Sequence, residues 1–280
     1  MDILCTYQGG KQRIAKDIVD VISSNDMIYG RKIYDLCCGS GALSMEFIRR
    51  GVAARDIVML DKSNWGDVFR RIGRQEVKTD EMYLYYDRTI PKEKCEIKEY
   101  AKKVAYNEVN EATKEYDFLM LQACSFGGCA VWDEDGKWKK IGGWRDYWIP
   151  KEGMSRKSPC NPMMPMWETI VKRIEALQVE MSGVVGIRED INSIIDKIEE
   201  GSIVYIDPPY NDKQGYGYQI KNMEEVICKL RRKSVVYVSE SCKISTANDT
   251  WNISKERTKG NINGKSVNRI EEWLNRFESI

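Results

Sequence analysis

The stretch Gly201–Tyr210, with the sequence GSIVYIDPPY, constrains the fold of this chain more than any other. Ile203–Ile206 is a run of β-branched and aromatic residues, which predicts a short buried strand. The strand must stop at Asp207, because the two prolines that follow lack an amide hydrogen and have a fixed φ. A carboxylate therefore stands at the end of a strand, on a stiff loop, next to the flat ring of Tyr210. In open α/β sheets ligands bind outside the carboxyl ends of strands, so this loop is a candidate site.

The chemistry that suits this loop is methylation of an exocyclic amine. The lone pair of such a nitrogen is delocalised into its ring, which makes it a poor nucleophile. The Asp207 carboxylate and the Pro208 carbonyl can accept its two hydrogens on a rigid loop, where charge develops. Tyr210 can stack on a base taken out of a helix. The alternative is a simple turn after a core strand with Asp207 as a solvated cap, and the four residues alone leave both open.

A second unit resembles the start of a nucleotide-binding α/β fold. Lys32–Leu36 predicts a strand, Cys37–Gly41 a glycine-rich turn and Ala42–Arg50 a helix. The dinucleotide fingerprint has a third glycine where this chain has Ser44, which argues against a nicotinamide or flavin cofactor. A turn that does not seat a pyrophosphate can hold the methionine portion of S-adenosylmethionine.

Two more acids follow predicted strands, and a glycine-containing loop opens the chain. Asp61 follows Ile57–Leu60, where it can bind ribose hydroxyls or cap the next helix. Asp190 follows Val184–Ile187, where it can bind an adenine amine or again cap a helix. Tyr7–Lys11, YQGGK, precedes an amphipathic run of helical period, and its alternative is an ordinary loop with an exposed lysine.

Composition narrows the class of protein. The 280 residues suffice for one α/β domain with a sizeable insertion, and the net charge of +1 provides no global basic field. The chain has no histidine, which removes histidine-based acid–base catalysis and argues against a zinc site. Nine cysteines without a signal peptide predict reduced thiols and a cytoplasmic location of bacterial or phage type. No apolar run has membrane length.

The alternation of strand and helix lapses between residues 78 and 165, and we expect an insertion there. The expected organisation is a cofactor-binding part at 1–77, a target-recognition insertion at 78–165 and a catalytic part at 166–280. Within Lys137–Lys157, which follows a hairpin-like turn at Asp135 and Gly136, basic residues exceed acidic ones by five, with tryptophans such as Trp138 interleaved. This pattern favours DNA contact over a solvated loop whose tryptophans fill a small core. The candidate DNA-binding residues are Lys137, Lys139, Lys140, Arg145, Arg156 and Lys157.

The C-terminal region gives less information. Lys255–Lys265 carries several basic residues, for which a solvated face is the main interpretation. Val267–Phe277 has apolar residues at helical spacing and predicts an amphipathic helix.

Taken in order, YQGGK, DLCCGSG, the second-strand acid, the basic insertion and DPPY resemble the D12 class of adenine-specific DNA methyltransferases, the Dam-like enzymes. The resemblance covers roughly Thr6–Tyr210, and DPPY is its most specific element. It implies an α/β, Rossmann-like, S-adenosylmethionine-dependent methyltransferase fold with an inserted, mainly helical target-recognition region. It also implies transfer of a methyl group to N6 of a flipped adenine in double-stranded DNA, without a metal or a membrane. A cognate restriction endonuclease is a further partner that such an enzyme can have.

The resemblance implies a role for each matching residue. The catalytic residues would be Asp207, Pro208, Pro209 and Tyr210. The residues that bind S-adenosylmethionine would be Tyr7, Lys11, Asp35, Gly39, Gly41, Asp61 and Asp190, with Asp207 facing the methionine end of the cofactor.

Two departures from the family pattern stand out. Cys37 occupies a position where the family usually has phenylalanine. The recognition hairpin lacks the family's arginine and asparagines, so the family's target sequence cannot be transferred to this chain. The alternatives are an N4-cytosine or RNA methyltransferase of the same fold, or a catalytically silent DNA-binding protein. The residue before the two prolines is an aspartate, Asp207, and not a serine, which favours adenine over cytosine as the methylated base.

Overall fold

We describe a computed structural model of the chain, which covers residues 2–91, 93–106, 110–132, 138, 165–209, 220, 222–254 and 271–280. Within these residues seven strands form one sheet in the order β3-β2-β1-β4-β5-β7-β6. The strands are β1 Ile33–Leu36, β2 Ile57–Leu60, β3 Val185–Ile187, β4 Ile203–Ile206, β5 Val235–Glu240, β6 Asp249–Asn252 and β7 Trp273–Phe277.

The centre of the sheet is parallel, and its register aligns the strand ends. Leu36 of β1 pairs with Leu60 of β2 on one side and with Ile206 of β4 on the other. β3 and β5 extend the parallel part, whereas β7 is antiparallel to both β5 and β6. The residues that follow β2, β1 and β4 therefore meet at one edge of the sheet, which is where ligands of such folds bind.

Helices cover both faces of the sheet. One core joins the strands to most of the helices and includes Ile33 and Tyr205, while the other includes Leu36 and Ile206 and contacts the helices near residues 191–198 and 223–230. Alternate residues of a strand point to opposite faces, which produces these two cores and three layers. The helices are α1 Ala15–Asn25, α2 Ala42–Arg49, α3 Asn64–Gly73, α4 Thr79–Thr89, α5 Lys94–Tyr106, α6 Lys114–Cys124, α7 Trp167–Glu180, α8 Ile191–Ile194 and α9 Met223–Leu230.

The predicted α/β fold class is confirmed, as is the helical character of the first part of the insertion, where α4, α5 and α6 lie. The C-terminal helix prediction is wrong at Trp273–Phe277, which forms strand β7. Leu274 and Phe277 are three residues apart, so they also fit a helical pattern. Pairing with strands on both sides decides the conformation here, since β7 lies between β5 and β6.

Within the part of the chain that the structure describes, no helix is long and apolar enough to cross a membrane. The described cysteines form no disulfide bond with one another. No group of three or more candidate metal ligands occurs among the described residues.

Candidate methyltransferase site

A cleft opens at the carboxyl edge of β1, β2 and β4. Its walls combine three segments that are far apart in the sequence: the loop Tyr7–Lys11, the turn after β1 and the Asp207 loop after β4. The predicted site residues that line it are Tyr7, Lys11, Asp35, Gly39, Asp61, Asp207, Pro208 and Pro209.

The turn after β1 folds tightly because of its glycines. Gly39 and Gly41 have φ values of 49° and 75°, a left-handed conformation that glycine adopts without a steric penalty. A side chain on Gly39 would also collide with Tyr7, whose ring carbon Cε1 would lie 2.8 Å from the added Cβ. The tyrosine of the first loop and the glycine of the turn therefore pack directly against each other. Gly41 supports the turn but does not itself line the cleft.

Cys37, in the same turn, is left-handed although it is not a glycine, with φ of 65°. Such a conformation costs a non-glycine residue about 1–2 kcal/mol. Burial raises the pKa of the Cys37 thiol, and the nearby Asp61 and Asp207 raise it further, so the residue stays a neutral thiol. Cys37 therefore presents a small, uncharged side chain to the cleft.

Asp61 connects the end of β2 to this turn. Its carboxylate accepts hydrogen bonds from the Gly39 amide at 2.8 Å and from the Ser63 amide and hydroxyl at 2.8 and 2.6 Å. Ser63, not Asp61, caps α3, since its hydroxyl accepts from the Trp65 amide. Burial raises the pKa of Asp61, and the hydrogen bonds oppose this rise. Asp61 is thus a buried acid that lines the cleft and fixes both neighbouring loops.

Asp35, within β1, is a second buried acid of the cleft and is 1% exposed. Ser44 Oγ donates to its Oδ2 at 2.6 Å. Burial raises the pKa of Asp35 to about 7. The Ser44 hydrogen bond opposes this rise, and the nearby Asp207 carboxylate adds to it. At pH 7 this carboxyl group is therefore about half protonated.

Lys11 lies between two carboxylates. Its Nζ is 2.7 Å from Asp207 Oδ1 and 3.1 Å from Glu272 Oε1, and all three side chains are mostly buried. Burial alone would lower the pKa of Lys11, but the two carboxylates outweigh this effect and raise it above its ordinary value. The lysine is therefore a permanent ammonium ion, and the interpretation as an exposed loop lysine is wrong.

Asp190 occupies the N-cap of α8, where its side chain accepts hydrogen bonds from the Asn192 amide at 3.0 Å and from Asn192 Nδ2 at 2.9 Å. It also pairs with Lys62 of the cleft wall at 3.5 Å. Asp190 does not itself line the cleft, although Glu189 and Ile191 on either side of it do. The capping interaction expected as its alternative role is present.

Several predicted residues lie outside the described part of the chain. They are Tyr210, Lys137, Lys139, Lys140, Arg145, Arg156 and Lys157. The hairpin turn at Asp135 and Gly136 also lies outside it, but its flanks Trp132 and Trp138 form an antiparallel bridge. Trp138 is buried in the main core. For this residue the alternative interpretation, a tryptophan that fills a core, is therefore correct, and the interpretation as a DNA contact is wrong.

Sequence reasoning missed several residues of this region, among them Lys62, Glu189, Glu272 and Trp132. Glu272 reaches Lys11 from just before β7, and no local pattern indicates it. Trp132 lines the cleft and is 5% exposed, and its indole nitrogen has no hydrogen-bond partner among the described residues. An aromatic residue just before a predicted hairpin was the only available signal for it.

The insertion joins the first loop beside the cleft. The Gln8 amide donates to the Gly128 carbonyl at 2.8 Å, and Gln122 Nε2 donates to the Gly128 and Cys129 carbonyls, both at 3.1 Å. Gly128 is required there, because a Cβ would lie 2.8 Å from the Thr6 carbonyl oxygen. These contacts place the base of the insertion at the rim of the cleft.

Comparison with known families agrees with this geometry. The model of the D12 class N6 adenine-specific DNA methyltransferases matches residues 7–277, which is nearly the whole chain. The chain belongs to the D12 class of N6 adenine-specific DNA methyltransferases. The match includes Tyr7, at the start of the first loop, and extends through β7, so Glu272 also lies within it.

Other comparisons are less informative about this D12-class methyltransferase. Among solved structures, the rRNA methyltransferase aviRa from Streptomyces viridochromogenes resembles it with a TM-score of 0.36 and 10% sequence identity, over 94% of this chain and 84% of that one. No curated protein sequence matches the chain.

Proposed function

We propose that this protein transfers a methyl group from S-adenosylmethionine to N6 of an adenine flipped out of duplex DNA. The observation that carries the proposal is the placement of Asp207. It follows β4 at the centre of the sheet edge, lines the cleft with Pro208 and Pro209, and is ion-paired to Lys11. Family membership supports DNA adenine methylation as the reaction.

The cleft suits S-adenosylmethionine in charge. Among its described lining residues are four acids, Asp35, Asp61, Glu189 and Asp207, against two lysines, Lys11 and Lys62. Such an acidic excess favours a ligand with positive charge, and the cofactor carries a sulfonium and an ammonium group. Asp61, at the end of β2, is placed to bind ribose hydroxyls.

S-adenosylmethionine, when bound, supplies an electrophilic methyl group. The protein's own contribution is to hold the amine that attacks it. The Asp207 carboxylate and the Pro208 carbonyl accept the two amine hydrogens, which favours the tetrahedral nitrogen and stabilises the positive charge that develops on it. No strong base is needed, because the amine proton becomes acidic once the nitrogen is cationic. Alignment on the stiff proline loop adds the advantage of proximity.

The insertion is the proposed DNA-binding part. Its basic stretch 137–157 follows directly from Trp132 at the cleft, and its base is attached to the first loop through Gly128. The lysines and arginines of this stretch, which lie outside the described residues, would bind DNA phosphates.

The test is methylation of defined nucleic acids by the purified protein with labelled S-adenosylmethionine. The substrates are an unmethylated duplex DNA, the same DNA as a single strand, and an RNA transcript of the same sequence. Digestion to nucleosides should yield labelled N6-methyldeoxyadenosine from the duplex. N4-methyldeoxycytidine as the product, label only in RNA, or cofactor and DNA binding without any methylation would each contradict the proposal.

Asp35 gives an independent prediction about cofactor binding. Its pKa of about 7 in the free protein should fall when a cationic ligand enters the cleft, since positive charge favours the carboxylate. Binding of S-adenosylmethionine at pH 7 should therefore release roughly half a proton, and close to none at pH 8.5, where Asp35 is already ionised. Calorimetry in buffers of different ionisation enthalpy measures this number.

The control for proton release is Asp35→Asn, which has no proton to lose at this position. If this variant binds the cofactor and releases as many protons at pH 7 as the wild type, another group is responsible.

A further inference from the structure

Glu272 is held at the site by the last part of the sheet. Its amide donates to Ser254 Oγ at 2.7 Å, and its carbonyl accepts from the Ile253 amide at 2.9 Å. The next residue, Trp273, begins β7 and pairs with Glu240 of β5. The backbone is thus fixed on two sides, and the side chain reaches Lys11 across the edge of the sheet.

The three charges of this cluster are poorly screened. The side chains of Lys11, Asp207 and Glu272 are 8%, 18% and 15% exposed, so little water surrounds them. Lys11 and Asp207 alone would make a neutral pair. Glu272 brings a second carboxylate to the same ammonium. An additional carboxylate at a mostly buried position carries a desolvation cost, and it needs the ammonium to offset it.

We propose that Glu272 is a positioning residue of the methyl-transfer site, which shares the Lys11 ammonium with Asp207 and makes the site favour a cationic cofactor over its neutral product. The inference rests on the proposed function, since it assumes that S-adenosylmethionine binds in this cleft.

Two physical effects follow from the contact. First, Lys11 contacts Glu272 as well as Asp207, so the second contact helps to keep Lys11, and with it Asp207, in one orientation for the amine that Asp207 binds. Second, the extra negative charge attracts the sulfonium of S-adenosylmethionine, whereas S-adenosylhomocysteine has a neutral thioether and is not attracted in this way. The same charge therefore helps the substrate to bind and the product to leave.

The experiment compares the affinities of both ligands in two variants that lose the same charge. Glu272→Gln keeps the size of the side chain and removes the charge next to Lys11. Glu271→Gln is the matched control, because Glu271 is the exposed neighbour whose carboxylate accepts from the Trp273 indole. Calorimetry gives the dissociation constants of S-adenosylmethionine and S-adenosylhomocysteine, and single-turnover assays give the methylation rate.

Glu272→Gln is expected to weaken S-adenosylmethionine binding by about threefold to tenfold, as for one charge at intermediate range in a partly buried site. Binding of S-adenosylhomocysteine should change by less than about twofold, and the methylation rate should fall by roughly tenfold if Asp207 loses its fixed orientation. Glu271→Gln should match the wild type, and Glu272→Asp, which keeps the charge, should recover most of the preference for the cationic ligand.

Three results would overturn the inference. If Glu272→Gln weakens both ligands equally, or neither, Glu272 serves only to anchor β7. If the wild type methylates DNA, but the ratio of the two dissociation constants is the same in the wild type and in all variants, the proposed function stands and the inference alone fails. A wild type that binds no S-adenosylmethionine removes the proposed function, and the inference with it.

Discussion

Asp207→Asn is expected to lower the rate of adenine methylation by at least about a hundredfold, the usual loss when one electrostatic stabiliser of a developing charge is removed. An amide has nearly the same shape as the carboxylate but is neutral, so it stabilises a cationic nitrogen far less. The substitution also removes the Asp207 carboxylate from the Lys11 ammonium, while Glu272 stays paired with it. Cofactor binding should persist, because Asp35 and Asp61 still line the cleft.

The matched control for this prediction is Asp196→Asn, an exposed aspartate away from the cleft, which should keep the wild-type rate. Single-turnover methylation of duplex DNA is the measurement, and thermal unfolding of each variant checks that the fold is intact. A rate within tenfold of the wild type, in a folded Asp207→Asn protein, would remove Asp207 from the reaction and leave it a structural role.

Much of this site could be predicted from the sequence because its parts are local. Strand β4 and the prolines after it predict a stop at Asp207, and the structure has the strand end at Ile206. The turn at Gly39 needs no distant partner to be recognised, since its glycines and the flanking strand and helix identify it. Once two parallel strands end in this way, the sheet itself brings their ends together.

The parts that could not be predicted depend on contacts between distant segments. Glu272 is brought to Lys11 by β7, whose strand conformation is set by pairing with β5 and β6 and not by its own pattern. Lys11 was assigned to the cofactor pocket only through the family resemblance, because nothing near it in the sequence indicates that two carboxylates surround it. Burial of Trp132 likewise depends on where the insertion returns to the cleft.

Close packing between α3 and β3 is a further feature that only the structure shows. In α3, a Cβ on Gly66 would lie 2.2 Å from the Ile187 carbonyl oxygen, and a Cβ on Gly73 would lie 2.0 Å from the Val184 carbonyl oxygen. In β3, a Cβ on Gly186 would lie 2.1 Å from the Arg70 amide nitrogen. All three contacts are with backbone atoms, which cannot rotate away as a flexible side chain can. The helix and the strand therefore approach each other at glycines on both sides.

Gly66→Ala is expected to lower the free energy of unfolding by about 2 kcal/mol, although alanine is the better helix former by roughly 1 kcal/mol. The added methyl group must push α3 away from β3, and overpacking against backbone outweighs the gain in helix propensity. Because Ser63 and Asp61 lie just before α3, S-adenosylmethionine affinity should fall as well. Urea unfolding measures the free energy of unfolding, and calorimetry measures the affinity for S-adenosylmethionine.

Ser24→Ala, at an exposed position in α1, is the control, and its free energy of unfolding should stay within about 0.5 kcal/mol of the wild type. A Gly66→Ala protein as stable as the wild type would mean that α3 can move off β3 without loss, and that these glycines do not hold Asp61 in place.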